Sequence, residues 1–290
     1  MLAVGGYNVA FLKKFSGLAM EGDVVTHDLG TVGRQTKNIA NIKWTAAKAT
    51  VGMGMGKGMS DWIDAAFKHN AIPQDGTFTS GDFAHKAQSK ADFKGALVTG
   101  VTVPKLSGDS KDAGYFDVEF TPETVRWGKG DGSMLQGEYG VKQKGWLCSM
   151  FSVELGSLPC KRVASVDSFT WKCSVAPDAI GITREPTIHA AKVVVPDLKF
   201  AVSMADHDAW AQAAKKWFID GVHLDADEMQ GRIAFLQGDM KTEVGEVVLK
   251  NIGFKKFSED DAEANSEKIK RFNAEFYVEE MEMKMKYTDK

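Results

Sequence analysis

What most constrains this chain is a pattern that it carries twice: alternating strands, one Trp-containing helix, then alternating strands again. The helices are read at Ser60-Asp61-Trp62-Ile63-Asp64-Ala65-Ala66-Phe67 and at Trp210-Ala211-Gln212-Ala213-Ala214-Lys215-Lys216-Trp217-Phe218. They stand about half the chain apart, a spacing that marks duplication of a domain-sized unit and not a short solenoid repeat. The 290 residues leave room for two domains, each burying its own core. The expected division is residues 1–127, a glycine-rich linker 128–145, and residues 146–290. Gly128, Gly130, Gly132, Gly137, Gly140 and Gly145 crowd that linker, which holds few aliphatic residues.

Period-two patterning runs through both halves and predicts half-buried antiparallel sheet. The first half opens with strand candidates from Tyr7 to Leu12 and from Gly17 to Val25. Ile42, Trp44 and Ala46 alternate with Lys43, Thr45 and Ala47, and Phe116, Val118 and Phe120 alternate with Asp117 and Glu119. In the second half Phe169, Trp171, Cys173 and Val175 share one parity, as do Leu198, Phe200, Val202 and Met204. The acidic run Glu259-Asp260-Asp261-Ala262-Glu263 takes the place of the first half's Ser107 to Asp112 turn. Phe272, Ala274, Phe276 and Val278 share a parity that Met281, Met283, Met285 and Tyr287 then reverse, which predicts a bulge or a bend.

Composition narrows the function. A formal charge of −3 argues against broad electrostatic binding to nucleic acid. Cys148, Cys160 and Cys173 form no CxxC motif, so buried thiols and a reducing compartment are expected. The apolar runs are too short to span a bilayer, and the N-terminus lacks the order of a signal peptide. Cytosolic synthesis without a membrane anchor follows as the expectation, with later incorporation into a larger particle left open.

Motifs for chemistry fail on spacing. Gly52-Met53-Gly54-Met55-Gly56-Lys57-Gly58-Met59-Ser60 resembles a phosphate-cradling loop, but Val51 stands where its first glycine is needed and Gly58 where a hydroxyl is needed. A flexible turn is expected instead, its methionines filling an adaptable interface. The histidines form no metal-ligand pair. Asp206-His207-Asp208 reads as a helix cap, and Asp82 with His85 lacks a nucleophile or second base. No catalytic, cofactor-binding or metal site is read, and the chain is expected not to be an enzyme. Trp62, Trp210 and Trp217 are expected to bury their rings beneath the helices.

The first half also resembles a known family. Phe15-Ser16-Gly17-Leu18 precedes an acidic strand, and a long hairpin returns through Ile42-Lys43-Trp44. A helix containing Asp61-Trp62-Ile63 follows, then a strand pair, a Ser/Asp loop, and a close on Tyr115-Phe116-Asp117-Val118-Glu119-Phe120. This order is similar to that of the tail tube proteins of contractile phage tails and contractile injection systems. It covers about residues 4–127, and residues 146–287 follow it with weak identity. The resemblance implies a mainly β fold: two tandem tail-tube-like β-barrel or sandwich domains, each with one packed helix. It implies a structural subunit of an inner tube, built from six-fold rings that a contracting sheath drives through a target envelope. In that family the long hairpin lies in the inner sheet of the tube. The implied partners are the chain itself, sheath and baseplate proteins, and DNA or protein cargo passing through the lumen.

Typical family members have one domain, whereas this chain has two. Two domains per chain fit a trimeric pseudo-hexamer, and a hexamer with the second domain outside is the rival. A baseplate hub or tube-initiator and, more distantly, a ligand-binding β-barrel remain open. The assembly segments read from the sequence are 18–29 with 38–50 and 163–175 with 193–204. The residues singled out in them are Leu18, Val24, Val25, Ile42, Trp44, Phe169, Trp171, Leu198, Phe200 and Val202.

Overall fold

Alternating patterning does drive most of the chain into strands, and the protein is mainly β with two helices among its described residues. The computed structural model describes residues 1–9, 12–30, 33–135, 145–179, 182–260 and 269–286. Ala10, Phe11, Gly137, Gly140, Asp261, Ala262, Glu263 and Tyr287, which entered the sequence reading, lie outside the described residues.

The first half runs β1 (Leu2–Val4), β2 (Tyr7–Val9), β3 (Leu12–Ser16), β4 (Met20–Leu29), β5 (Arg34–Trp44), β6 (Ala47–Gly52) and α1 (Lys57–Phe67). It continues with β7 (Gln74–Gly81), β8 (Ala87–Val103), β9 (Leu106–Ser107), β10 (Tyr115–Thr121) and β11 (Thr124–Lys129). The second half runs β12 (Phe151–Leu155), β13 (Val163–Val166), β14 (Phe169–Asp178), β15 (Thr187–Val194), β16 (Leu198–Ser203) and α2 (His207–Phe218). It ends with β17 (Met229–Leu236), β18 (Glu243–Glu259) and β19 (Arg271–Met285). Of the glycine-rich segment, Gly128 and Lys129 close β11 opposite Lys90 and Ser89.

The two halves pair their strands in the same order. β12 lies on β17 as β1 lies on β7, and β17 on β18 as β7 on β8. β18 meets β19 as β8 meets β10 and β11, and β19–β16–β13 follows β10–β6–β3. Register agrees as well as order. Ala47 stands opposite Phe120, and Leu198 opposite Phe276. The β8–β10 ladder slips between Glu119 and Phe120, and the β18–β19 ladder slips at the matching place, between Phe254 and Lys256. Gly95 and Asn251 occupy matching positions on the long strands, and both take left-handed backbone, φ 61° and 53°. Glycine and asparagine are residues that tolerate that region. The kink bends each long strand within its curled sheet. It also accounts for the parity reversal on β19, where burial switches between Val278 and Met281 within one continuous strand. The reversal is a bend, and the first half breaks into β10 and β11 at the same point, before and after Pro122.

One apolar cluster runs through both halves. Each helix presses its apolar stripe onto strands: Trp62 is 5.5 Å from Phe120, and Trp210 lies edge-on to Phe272 at 5.6 Å. Both indole N–H groups find carbonyls, of Ile72 at 2.9 Å and Pro159 at 3.1 Å, as buried tryptophans require. Met53, Met55 and Met59 are buried, so they fill the core below α1 and not an adaptable interface. Asp206 does not cap α2 with its side chain; it accepts from Arg162 Nη1 at 2.8 Å. No helix among the described residues is long and apolar enough to cross a membrane.

Candidate assembly surfaces

Two hairpins of the same build meet different fates. Among the described residues β4 pairs only with β5, and the pair forms a sheet of its own. Every β4 residue is exposed, including Met20, Val24, Val25 and Leu29, and Ile39 opposite Val24 is exposed too. A free two-stranded hairpin is marginal in water, and an open edge with apolar side chains invites another strand. β14 pairs with β15 in matching register, down to the slip after Cys173 that answers the slip after Gly22. β14, however, also pairs with β8 of the first half, Phe169 opposite Val103 through Lys172 opposite Gly100.

That joint is well built. Trp171 stacks on Phe67 of α1 at 4.8 Å and is 1% exposed. The hydroxyls of Thr102 and Thr170 lie 2.9 Å apart, and Ser168 Oγ donates to the Val103 carbonyl at 2.8 Å. Farther along, Ile188 N–H donates to Glu123 Oε1 at 3.1 Å. Glu185 takes two parallel bonds from the Arg126 guanidinium, 2.6 and 2.5 Å, and a third from Trp44 Nε1 at 3.0 Å. The Arg126 hydrogen bond is the main reason that the Glu185 carboxyl is held below its usual range. β9 pairs with β13, and Trp146 stacks on Phe116 at 5.5 Å while meeting Phe235 edge-on at 4.7 Å. The halves are thus joined by sheet hydrogen bonds, an ion pair and a shared aromatic cluster.

The residues singled out from sequence divide between surface and interior. Val24 and Val25 are exposed on the free hairpin, and Ile42 is half-buried at its base. Leu18 is buried in the turn before β4 with φ 61°, and Trp44 is buried against Glu185. Phe169 and Trp171 are buried in the joint. Leu198, Phe200 and Val202 point into the second half's part of the core, where Phe200 meets Phe276 at 5.8 Å. The exposed Met20, Leu29 and Ile39 were not singled out, although they lie within the segments 18–29 and 38–50 read as assembly surface. Sequence reading missed the β14–β8 pairing, for which no local signal exists.

No cluster of three His, Cys, Asp or Glu side chains among the described residues is placed to hold a metal ion. Burial pushes the Cys160 thiol up to about 11 and raises Cys148 and Cys173, so these are poor nucleophiles. Asp82 accepts from the N–H groups of Ala84 and Lys86 and from Gln88, closing a turn, and these bonds hold its carboxyl down. Arg232 is clasped by Glu154, Glu243 and Glu246, an ion network on the face of β17 and β18.

No protein-family model and no curated protein matches the sequence. Solved structures do show local likeness. A sheath–tube complex of an extracellular contractile injection system, PVC, in its extended state aligns over 44% of this chain and 88% of that one, at 20% identity and a TM-score of 0.37. The sheath/tube terminator of the same system gives 44% and 91%, 21% identity and 0.39. The tube-terminating cap of the anti-feeding prophage gives 44% and 87%, 18% identity and 0.36.

Proposed function

We propose that this protein is a structural subunit of the inner tube of a contractile phage tail or phage-like injection apparatus. Its two halves are tandem tail-tube-like units, and three chains close a pseudo-six-fold ring that stacks into a conduit. The exposed β4–β5 hairpin carries this reading. An isolated chain leaves a long hairpin in water with Met20, Val24, Val25, Leu29 and Ile39 exposed, while an equivalent hairpin in the same chain is seated on a neighbouring sheet edge. The order of motifs that resembles tail tube proteins, together with strand-for-strand agreement between the halves, supports the tandem form. Head-to-tail contacts that close under rotation make rings, and stacked rings make tubes.

Sheath would surround such a tube and a baseplate would hold its end, with DNA or protein cargo passing inside. The mechanism is mechanical and calls for no cofactor. The particle, and not a membrane, is the expected location. Electron microscopy with mass measured on the same sample tests the reading. Rings or tubes with three chains per layer are expected. Six chains per layer would move one half outside the tube wall. Finite rings that never stack would favour a hub or initiator, and a strict monomer at every concentration would overturn assembly altogether.

A further inference from the structure

The joint inside the chain specifies a second joint between chains. Register maps one onto the other. Glu21 lies opposite Lys43 as Lys172 lies opposite Val194, so Leu18 to Glu21 stand where Phe169 to Lys172 stand on the seated hairpin. On the receiving side, Lys256 lies opposite Glu275 as Gly100 lies opposite Glu119. The stretch from Lys256 to Glu259 therefore corresponds to the stretch of β8 that receives β14. Along β8 this stretch is flanked by β10 on one side and β14 on the other. Along β18 it is flanked by β19 on one side only, because β17 stops opposite Ile252 and no other described strand follows. One chain thus holds a free strand of the seated kind and a free edge of the receiving kind.

Side chains point the same way. Phe67, the last residue of α1, is 2% exposed because Trp171 covers it. Phe218, the last residue of α2, is 49% exposed, and Met20, in the place of Trp171, is 63% exposed. Both are large apolar residues whose counterparts are interior. The register would also set Glu21 opposite Lys256, which makes no ion pair with the described residues, and Met20 opposite Phe257.

We propose that β4 of one copy adds to the open edge of β18 in a second copy, with Met20 covering Phe218 and Glu21 facing Lys256. Repeating the contact head to tail closes the ring, so the joint rests on the self-assembly reading and names its residues. The occupant is another copy of this chain, because the free strand and the free edge match in register, charge and apolar content.

The test mixes two variants, Met20→Cys and Phe257→Cys, under mild oxidation. Directly opposed residues on antiparallel strands have Cβ atoms about 4.5–5.5 Å apart, near disulfide reach. A covalent dimer is expected from the mixture, and neither variant alone nor a Thr26→Cys control with Phe257→Cys should give it. Separately, Glu21→Lys and Lys256→Glu should each raise the concentration needed for assembly by about three- to tenfold, and the double exchange should restore it. Wild-type rings with no cross-link and no response to either reversal would overturn this joint while leaving the tube reading intact. A wild-type chain that never associates would overturn both.

Discussion

Replacing Trp171 by Ala probes the joint where β14 meets β8. The side chain is 1% exposed, lies on β14 opposite Val101, and stacks on Phe67 at 4.8 Å. Truncating a buried tryptophan costs about 3–5 kcal/mol, of which the ring pair accounts for roughly 0.5–1.5. Because β14–β15 meets β8 through four residue pairs, the loss should fall first on that contact and not on the packing between β16 and β19. At about 1.4 kcal/mol per decade, detachment of the hairpin should become about a thousandfold more populated. Hydrogen exchange reads this directly. Amides of residues 170–172 and 100–102 should lose about three decades of protection, while those of β16 and β19 lose much less. Phe200→Ala is the comparison: its buried ring packs on Phe276 between β16 and β19, so protection should fall across β16 to β19 together. A Trp171→Ala protein that loses under about 1 kcal/mol in urea unfolding, or that loses protection evenly everywhere, would refute the claim that β14 is a separately seated strand.

A Cβ on Gly114 would stand 1.8 Å from Trp146 Cε3, so Gly114→Ala should push the ring out of the Phe116–Phe235 cluster and lower stability by about 1–3 kcal/mol, read as a fall in Tm. Hydrogen bonds from Lys250 and Lys284 hold the Glu282 carboxyl down at about 2, against a usual value of 4.5. Its contribution is therefore complete above the usual value and is lost as pH falls towards 2, and Lys250→Met should flatten that part of the stability–pH curve. All three thiols are buried, so an aromatic disulfide reagent at neutral pH should label none in the native chain and three after unfolding; rapid native labelling would contradict the burial.

The fold class was legible because side-chain period reports secondary structure locally. Phe116, Val118 and Phe120, or Leu198, Phe200 and Val202, alternate as one-sided strands must, and all six are buried. Periodicity could not separate an apolar face that packs inside its own chain from one left for a partner. Val24 and Phe200 both lie in strand candidates, yet one is 60% exposed and the other 0%. Nor could it reveal a strand that crosses to the other half's sheet, since pairing between residues 100 and 172 leaves no trace in either local pattern. The tryptophans that marked the two helices are not equivalent positions. Counting on from Gly52 and Ser203, which close β6 and β16, sets Trp210 at the place of Met59 and Ala213 at that of Trp62. Each helix needs one large buried group above the sheet, and different turns of the helix can supply it.

The differences between the two hairpins follow from when each is buried. β14 meets β8 within its own chain, so its effective concentration is fixed by folding and its inward face can be as apolar as Phe169, Trp171 and Cys173. On the proposed joint β4 must stay in water until a second copy arrives. At the positions of Trp171, Lys172 and Cys173 it carries Met20, Glu21 and Gly22, followed by the further acid Asp23, and Lys43 across the hairpin lies 3.8 Å from Glu21 and 3.7 Å from Asp23. Charges on an open edge discourage indiscriminate strand pairing. They also leave recognition to a group of opposite sign, and Lys256 on β18 provides one. Replacing Glu21 and Asp23 by Val should therefore strengthen association but loosen its register, yielding irregular aggregates in place of uniform rings. Uniform rings from that variant would mean that apolar contact alone sets the order, and the charges on β4 would then need another explanation.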